Sequence, residues 1–389
     1  MTDRKRHPEG VYERWIVRGG RRARVFDVVY EAPRLADGKR RMFMKRGFPT
    51  QRDAVGWRDR QRVGVRSGGH VAPDRATVGT YLLDEWLPSI RSSVRPGTWS
   101  SYSMHCRVHV APRIGHVRLQ TLTVEQVDKT YADLLADGLS AASVRRVHST
   151  VRRALRDARK SGRIVANVAE LATLPKASRP KMMVWTPAEA RTFLMFVLDR
   201  DEQSHALFSL MLATGLRRGE AVGLRWSNLD LDGARLTVER TLVSIDGRIA
   251  ESEPKSERSH RTIGLDPETV AILRRQRARQ SERRLAWGEA WKETDLVFDR
   301  GDGGELHPDA ISKRFAKLAR EAGVPAIRLH DLRHTAATLM LTAGVPAKVA
   351  SERLGHSTIA ITLDTYTAFV PSLDEDAAAR TASLIYGSG

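Results

Sequence analysis

Three short runs near the start of the chain, residues 11–17, 24–30 and 41–44, are rich in Val, Phe, Tyr, Trp and Met and are separated by turn formers at Gly19-Gly20 and Asp37-Gly38. They predict a small three-stranded sheet. Thr50 is placed to cap a following helix, with Asp53 in its first turn, and Ala54 and Trp57 give that helix an apolar side able to close over the sheet. Ser67-Gly-Gly-His-Val-Ala-Pro73 has no apolar period and reads as a linker. Beyond it the pattern turns helical. Thr123-Val-Glu-Gln126 is a capping box opening a helix through Val127, Tyr131, Leu134 and Leu135, which Gly138 closes. From Ser140 onward Val144, Val147, Val151, Leu155 and Ala158 recur at steps of three and four, the period of a second amphipathic helix.

Leu174-Pro-Lys-Ala-Ser-Arg-Pro180 reads as a second linker. After it, Thr186-Pro-Ala-Glu189 places a cap, a first-turn proline and a reciprocal glutamate where a helix starts. A further helix is expected over residues 206–214, stopped by Gly215, with strands at 236–243 and 261–265, a hairpin at Asp246-Gly247 between the first of these and a short middle strand, and helix from Ala310 almost to the end. The expected fold class is multidomain α+β. It comprises a three-stranded sheet plus helix (1–66), a linker (67–75), a helical domain (76–174), a second linker (175–182), and a mainly helical domain with a small antiparallel sheet (183–389).

Composition narrows the function. No uninterrupted apolar run approaches the roughly 18 residues of a spanning helix. The opening Met1-Thr-Asp-Arg-Lys-Arg also lacks the apolar centre of an export signal, so a cytoplasmic location without membrane partners is expected. The single cysteine, Cys106, excludes an internal disulfide and any multi-cysteine metal site, and reads as buried filler. A net charge of +19 over 389 residues implies an anionic polymer as partner. Nineteen basic against eight acidic residues give +11 for 1–66, sixteen against nine give +7 for 67–176, and thirty against twenty-nine give +1 for 177–389. The two N-terminal segments therefore look like DNA grips. Arginine supplies 53 of the 65 basic residues, which fits both bidentate phosphate contact and a GC-rich coding bias.

Within those grips, basic strands carrying Arg24 and Arg41 among aromatics suit entry into a major groove, or contact with phosphates or another protein. The outer face of the second helix carries Arg145, Arg146, Arg152, Arg153, Arg156, Arg159 and Lys160, offset only by Asp157. Seven crowded cations repel one another unless phosphates lie nearby, so DNA is favoured over a merely solvated face.

The chemistry sits in the C-terminal half. In His330-Asp-Leu-Arg333 an imidazole and a guanidinium share one helical face, and both can address one anion. His334 is expected to turn away and serve structure. Arg217, just past a glycine-terminated helix, is aimed by a tight turn while Arg218 points elsewhere, and Glu220 is placed to orient it by a charge-assisted pair. Lys255, His356 and Tyr366 complete a set suited to holding a phosphate against a tyrosine nucleophile. No glycine-rich phosphate loop and no spaced metal ligands accompany them, so no cofactor is expected.

The segments Ala213-Thr-Gly-Leu-Arg-Arg-Gly-Glu220, Pro254-Lys-Ser-Glu-Arg-Ser-His-Arg-Thr-Ile263, His330-Asp-Leu-Arg-His-Thr335, Leu354-Gly-His356 and Thr362-Leu-Asp-Thr-Tyr366 resemble the tyrosine recombinases, the bacteriophage integrase family. The likeness covers about residues 180–370, and all six of that family's catalytic positions have counterparts here in its order. By pattern rather than motif, residues 1–66 look like an arm-binding domain and residues 75–170 like a core-binding domain. The resemblance implies a site-specific recombinase acting on double-stranded DNA through a 3′-phosphotyrosine. Arg217 and Arg333 would clamp the phosphate, Lys255 would protonate the leaving oxygen or simply contact phosphate, and His330 and His356 would donate hydrogen bonds, one of them taking the proton of the nucleophile Tyr366. It further implies a homo-tetramer on attachment sites, compatible with DNA-bending and directionality proteins. The tail after Val370 packs on a neighbouring protomer or on its own. Tyr386 is the competing tyrosine. A type IB topoisomerase and the shorter chromosome-dimer resolvases are rivals that residues 1–66 disfavour. A catalytically inactive DNA-binding regulator is disfavoured by the intact six-residue set.

Overall fold

The computed structural model describes residues 10–32, 41–66, 71, 73–177, 182–252, 260–355, 358, 382 and 385–387. The chain divides into two compact units, Met1–Ser178 and Arg179–Gly389.

In the first unit, β1 (Val11–Arg18), β2 (Arg21–Ala32) and β3 (Arg41–Phe48) form an antiparallel sheet in that order. Alternation puts Val11, Phe26 and Val28 on one face, where Ala54 of the Gln51–Arg66 helix covers them. Thr50 caps that helix, its hydroxyl accepting from the Asp53 amide at 3.1 Å. The strands outrun the apolar runs because ladder pairing continues through polar residues such as Arg21 and Arg22. A register shift between Phe26 and Val28 leaves Asp27 at a bulge. Its buried carboxylate accepts from Arg14 Nε at 3.1 Å and the Gly47 amide at 3.0 Å. Arg24 is exposed and lies over the Phe26 ring. Arg41 opens β3 opposite Ala32.

The helical part of this unit holds more helix than periodicity disclosed. Helical turns run through Val78–Thr80, Tyr81–Trp86 and Leu87–Ile90, and again through Pro96–Met104, His105–Val110 and Ala111–Ile114. The middle segment of each run is π-helical, and a wider turn breaks the three-and-four rhythm by which an α-helix is read. The Val124–Ala136 and Ala141–Lys160 helices begin at the expected caps, Thr123 and Ser140. Leu82, Trp86, Tyr131, Leu134, Val147 and Leu155 pack in their core. Cys106 is buried there, and burial pushes its thiol up to about 12, consistent with inert filler.

The second unit is built around an aromatic cluster of Trp185, Phe193, Phe208 and Phe315, with ring centroids 4.9–5.6 Å apart. The Pro187–Leu198 helix starts at the Thr186–Glu189 capping box. The helix expected over 206–214 begins earlier, at Glu202, because Asp201 caps it through the Ser204 amide at 3.0 Å. The single strand expected at 236–243 is two strands. β5 (Arg235–Val238) joins β4 (Leu229–Asp230) and β8 (Arg261–Gly264), whereas β6 (Thr241–Ile245) pairs with β7 (Arg248–Ser252) in a separate two-stranded sheet. The break falls at the exposed charges Glu239 and Arg240. From there β6 runs against the short Arg218–Val222 helix so closely that a Cβ at Gly219 would lie 2.3 Å from Thr241 Oγ1. The expected turn at Asp246-Gly247 joins β6 and β7.

A long helix, Pro267–Trp287, is the element that sequence periodicity passed over. It is rich in arginine and buries two glutamines where leucines would signal a core face. Gln276 Nε2 donates to Val297 O at 3.0 Å and Gln280 Nε2 to Asp299 Oδ2 at 2.7 Å. The helical C-terminal region resolves into Pro308–Glu321, Asp331–Thr342 and Ala347–Leu354. No helix among the described residues is long and apolar enough to cross a membrane.

Candidate active site

The candidate site gathers at a turn between two helices. The Glu202–Thr214 helix ends at Gly215 in the left-handed conformation, φ 67°. A Cβ there would lie 2.4 Å from Leu354 Cδ2, so only glycine lets the turn pass beneath that side chain. The turn leaves the Gly215 carbonyl facing Arg333, whose Nη1 donates to it at 2.7 Å. Arg333 is 3% exposed, in the first turn of the Asp331–Thr342 helix. Arg217, two residues after Gly215, sits in extended backbone at the N-cap of the Arg218–Val222 helix. Arg333 thus bonds the turn from which Arg217 follows two residues later, although the two stand 116 positions apart in the sequence.

Arg217 is held on two sides. Its Nη1 donates to Glu220 Oε1 at 2.6 Å, and its Nη2 donates to Gly355 O at 3.0 Å. The backbone amide of Arg217 donates to Glu220 Oε2 at 3.0 Å, so one carboxylate fixes both the cap and the guanidinium. Arg218 points away, pairing with Asp309 and Ser312. Arg261, which sequence reading assigned only to a strand, reaches the same carboxylate: its Nη2 donates to Glu220 Oε2 at 2.9 Å. The signal for it was its place in the segment that follows Lys255, not its residue type.

Burial alone would raise the Glu220 carboxyl, but the hydrogen bond and charge of Arg261, then the charge of Arg217, hold it below the usual carboxylate range. The stability contributed is therefore present above the ordinary carboxylate pKa and is lost as pH falls through the lower folded value. Glu220→Gln strands Arg261 in a buried place, and breaking such a pair costs about 3–5 kcal/mol. Urea unfolding at neutral pH measures it; a loss below about 1 kcal/mol, the scale of an exposed pair, contradicts the assignment.

His330 stands at the N-cap position of the Asp331–Thr342 helix, three residues before Arg333, and its side chain makes no capping hydrogen bond. The helix start is pinned by Asp331, whose carboxylate accepts from Arg328 N, Nε and Nη2 at 2.8–3.0 Å. His334, expected to face away, instead meets His330 edge to face with ring centroids 5.1 Å apart. The cause is the helical step: residues four apart stack on one face. The His330 residue is exposed overall, yet loss of hydration where its ring is covered, with His334 and Arg333 beside it, pushes its pKa down to about 4. The imidazole is neutral at physiological pH and so has a lone pair to offer.

Lys255, His356 and Tyr366 lie outside the described residues, as does most of the tail. The chain reaches His356 directly from Gly355, the residue whose carbonyl holds Arg217. Tyr386 is described and 82% exposed. Among the helix-face cations, Arg145, Arg146, Arg152, Arg156, Arg159 and Lys160 are exposed on the Ala141–Lys160 helix. Arg145 also reaches Pro175 O at 2.9 Å. Arg153 departs from the expected outward set: it is half-buried over Tyr102, donating to the phenol oxygen at 3.0 Å.

Residues 184–371 match the model of the Phage integrase family, and residues 80–135 match the Phage integrase N-terminal SAM-like domain. The chain belongs to the phage integrase family, the tyrosine recombinases. Its class of activity is site-specific DNA recombination. A tyrosine recombinase XerC-like protein of Caldanaerobacter subterraneus subsp. tengcongensis is 28% identical over 83% of this chain and 87% of its own length. An integrase of Streptomyces ambofaciens is 29% identical over 76% and 77%. The fold is shared with the Tn1549 transposon integrase solved with transposon right end DNA, at TM-score 0.66 and 20% identity, covering 79% of this chain and 99% of that one. A lambda integrase dimer bound to a core site superposes at TM-score 0.58 and 17% identity, covering 93% and 96%.

Proposed function

We propose that this chain integrates and excises a phage or other mobile element by cutting and rejoining attachment-site DNA through a 3′-phosphotyrosine. The observation that carries the reading is that Arg333 bonds the carbonyl of the glycine turn leading to Arg217, whose guanidinium Glu220 fixes. When a phenol oxygen attacks a phosphodiester, negative charge gathers on the two non-bridging oxygens. Two guanidiniums can cover both in a partly dry site.

In this scheme the Tyr366 oxygen forms the bond to phosphorus as the bond to the 5′ oxygen breaks. The phenolic proton passes to a histidine, and neutral His330 has the lone pair to take it. Lys255 supplies the proton that the 5′ oxygen needs, a contribution of about 10²–10⁴ in rate. A 5′ hydroxyl from the partner strand then reverses the step, so the energy of the broken linkage is kept and neither nucleotide nor metal is called on.

Residues 1–66 are read as the arm-type DNA grip, 76–174 as the core-site grip and 183–389 as the catalytic domain, joined by linkers at 67–75 and 175–182. Four protomers, as in the lambda integrase tetramer bound to a Holliday junction, assemble on two sites. DNA-bending and directionality proteins are compatible with that assembly.

Recombination of a plasmid carrying both attachment sites, in EDTA and without nucleotide, tests the reading. Recombinant circles together with a denaturant-stable protein–DNA species are expected; relaxation of supercoils alone points to a topoisomerase instead. The exposed cations give a second expectation. Replacing Arg152, Arg156 and Arg159 with Ala flattens the plot of log affinity against log salt by about 0.9 for each phosphate that is no longer neutralised. An unchanged slope in binding titrations removes that helix from the DNA interface.

A further inference from the structure

We propose that Arg261 is a positioning residue for recombination, coupling the Arg217 guanidinium to the turn that delivers the chain to His356. The inference rests on the functional reading above. Arg261 opens β8, six residues after Lys255. Its side chain is 7% exposed, and all three of its nitrogens bond protein groups. Its guanidinium works in two directions. Nη2 and Nη1 donate to Glu220 Oε2 and Oε1 at 2.9 and 3.4 Å, while Nε donates to the Arg353 carbonyl at 2.7 Å. Arg353 binds back to β8. Its Nη1 and Nη2 each donate to Gly264 O at 3.2 Å, so β8 and the end of the Ala347–Leu354 helix are strapped twice.

These bonds close a circuit. Arg217 bonds Glu220, Glu220 bonds Arg261, Arg261 bonds the Arg353 carbonyl, and Gly355, two residues on, accepts from Arg217. A guanidinium has the planar, multi-donor shape for such a junction, and an ammonium does not. Removing Arg261 leaves Glu220 with its Arg217 bonds but without its second guanidinium, which loosens the direction of the Arg217 guanidinium. The same removal slackens the turn at Gly355. Among the described residues, the charged groups facing Glu220 are Arg217 from its own turn and Arg261 from β8. Without Arg261 the Glu220 carboxyl takes a proton at higher pH, because the main influence holding it ionised is gone.

The test uses the full-length protein and a nicked duplex from the DNA flanking its coding sequence, chosen because the wild type captures it covalently. Single-turnover capture is followed against pH beside equilibrium binding and thermal unfolding. For Arg261→Ala we expect capture to slow about 10–100-fold, the scale on which groups that orient a reacting side chain act. Binding should stay within about threefold of wild type, since no phosphate-binding group is removed. The acid limb of the rate profile should move to higher pH. Arg261→Lys keeps a charge beside Glu220 but cannot also reach the Arg353 carbonyl, so it returns the limb towards wild type while the rate stays low.

A purely structural residue would lower the amount of folded, DNA-bound protein and leave the limb in place; that result overturns the proposal. If Arg261→Ala does not fold, Arg261→Lys decides, and wild-type rate with a wild-type limb overturns it. Wild-type protein that captures no duplex overturns the functional reading and this inference together, whereas normal capture by every Arg261 variant overturns only the inference.

Discussion

Replacing Tyr366 with Phe is expected to abolish covalent capture of a nicked attachment-site duplex and to leave binding to it intact. The phenolic hydroxyl is the only group removed, and in the proposed mechanism its oxygen forms the bond to phosphorus. A tyrosine hydroxyl with an ordinary pKa near 10 is a weak nucleophile at neutral pH. In the proposed site Arg217 and Arg333 would stabilise the charge it generates, and a histidine would take its proton. None of those groups can attack in its place, so the loss exceeds about 10⁴-fold, as expected when a nucleophile is removed. Denaturing gels read the adduct and native gels read the binding. Tyr386→Phe, altering a side chain 82% exposed, leaves both unchanged.

Arg333→Ala is expected to lose about 10²–10³-fold in cleavage rate, the scale for removing a charge-stabilising donor. It is also expected to lose roughly 1.5–3 kcal/mol of stability, as a buried hydrogen bond to a charged group is removed. The two losses have one origin. Arg333 is almost wholly buried, and its bond to Gly215 O ties the Asp331–Thr342 helix to the turn that carries Arg217. Arg333→Lys restores neither, because an ammonium lacks the fork that spans the carbonyl and an anion together. Arg218→Ala is the contrast. That side chain pairs with Asp309 at the surface, a pair worth at most about 1 kcal/mol, and its loss leaves cleavage unchanged. Single-turnover kinetics and urea unfolding on the same preparations separate the two effects.

What the sequence disclosed depended on whether local signals carried the structure. Caps did: Thr50, Thr123, Ser140 and Thr186 each begin the helix expected of them, because a side-chain oxygen bonding an amide two or three residues on is a local event. Periodicity failed where another rule displaced it. The π-helical turns at Tyr81–Trp86 and His105–Val110 break the rhythm, and Gln276 and Gln280 stand at buried positions of a long arginine-rich helix. The strand expected at 236–243 divides because β6 answers to the Arg218–Val222 helix rather than to β5.

In the candidate site, the proximity of Glu220 to Arg217 was legible from three-residue spacing. Arg261 was not, since nothing local relates position 261 to 220 or 353. His334 was misjudged because being adjacent to Arg333 was weighed above being four residues from His330, which is the spacing that stacks side chains.

The central claim is that Tyr366 becomes bonded to DNA in a pocket made by Arg217 and Arg333, and peptide mapping of the trapped adduct tests it most directly. Wild-type protein is captured on a nicked duplex and digested with protease and nuclease, and the residue bearing the 3′-phosphate is located by tandem mass spectrometry. The account predicts a nucleotide remnant on Tyr366, with adduct yield collapsing in Arg217→Ala and Arg333→Ala. A remnant on Tyr386 or any other residue, or undiminished capture by both arginine variants, contradicts it.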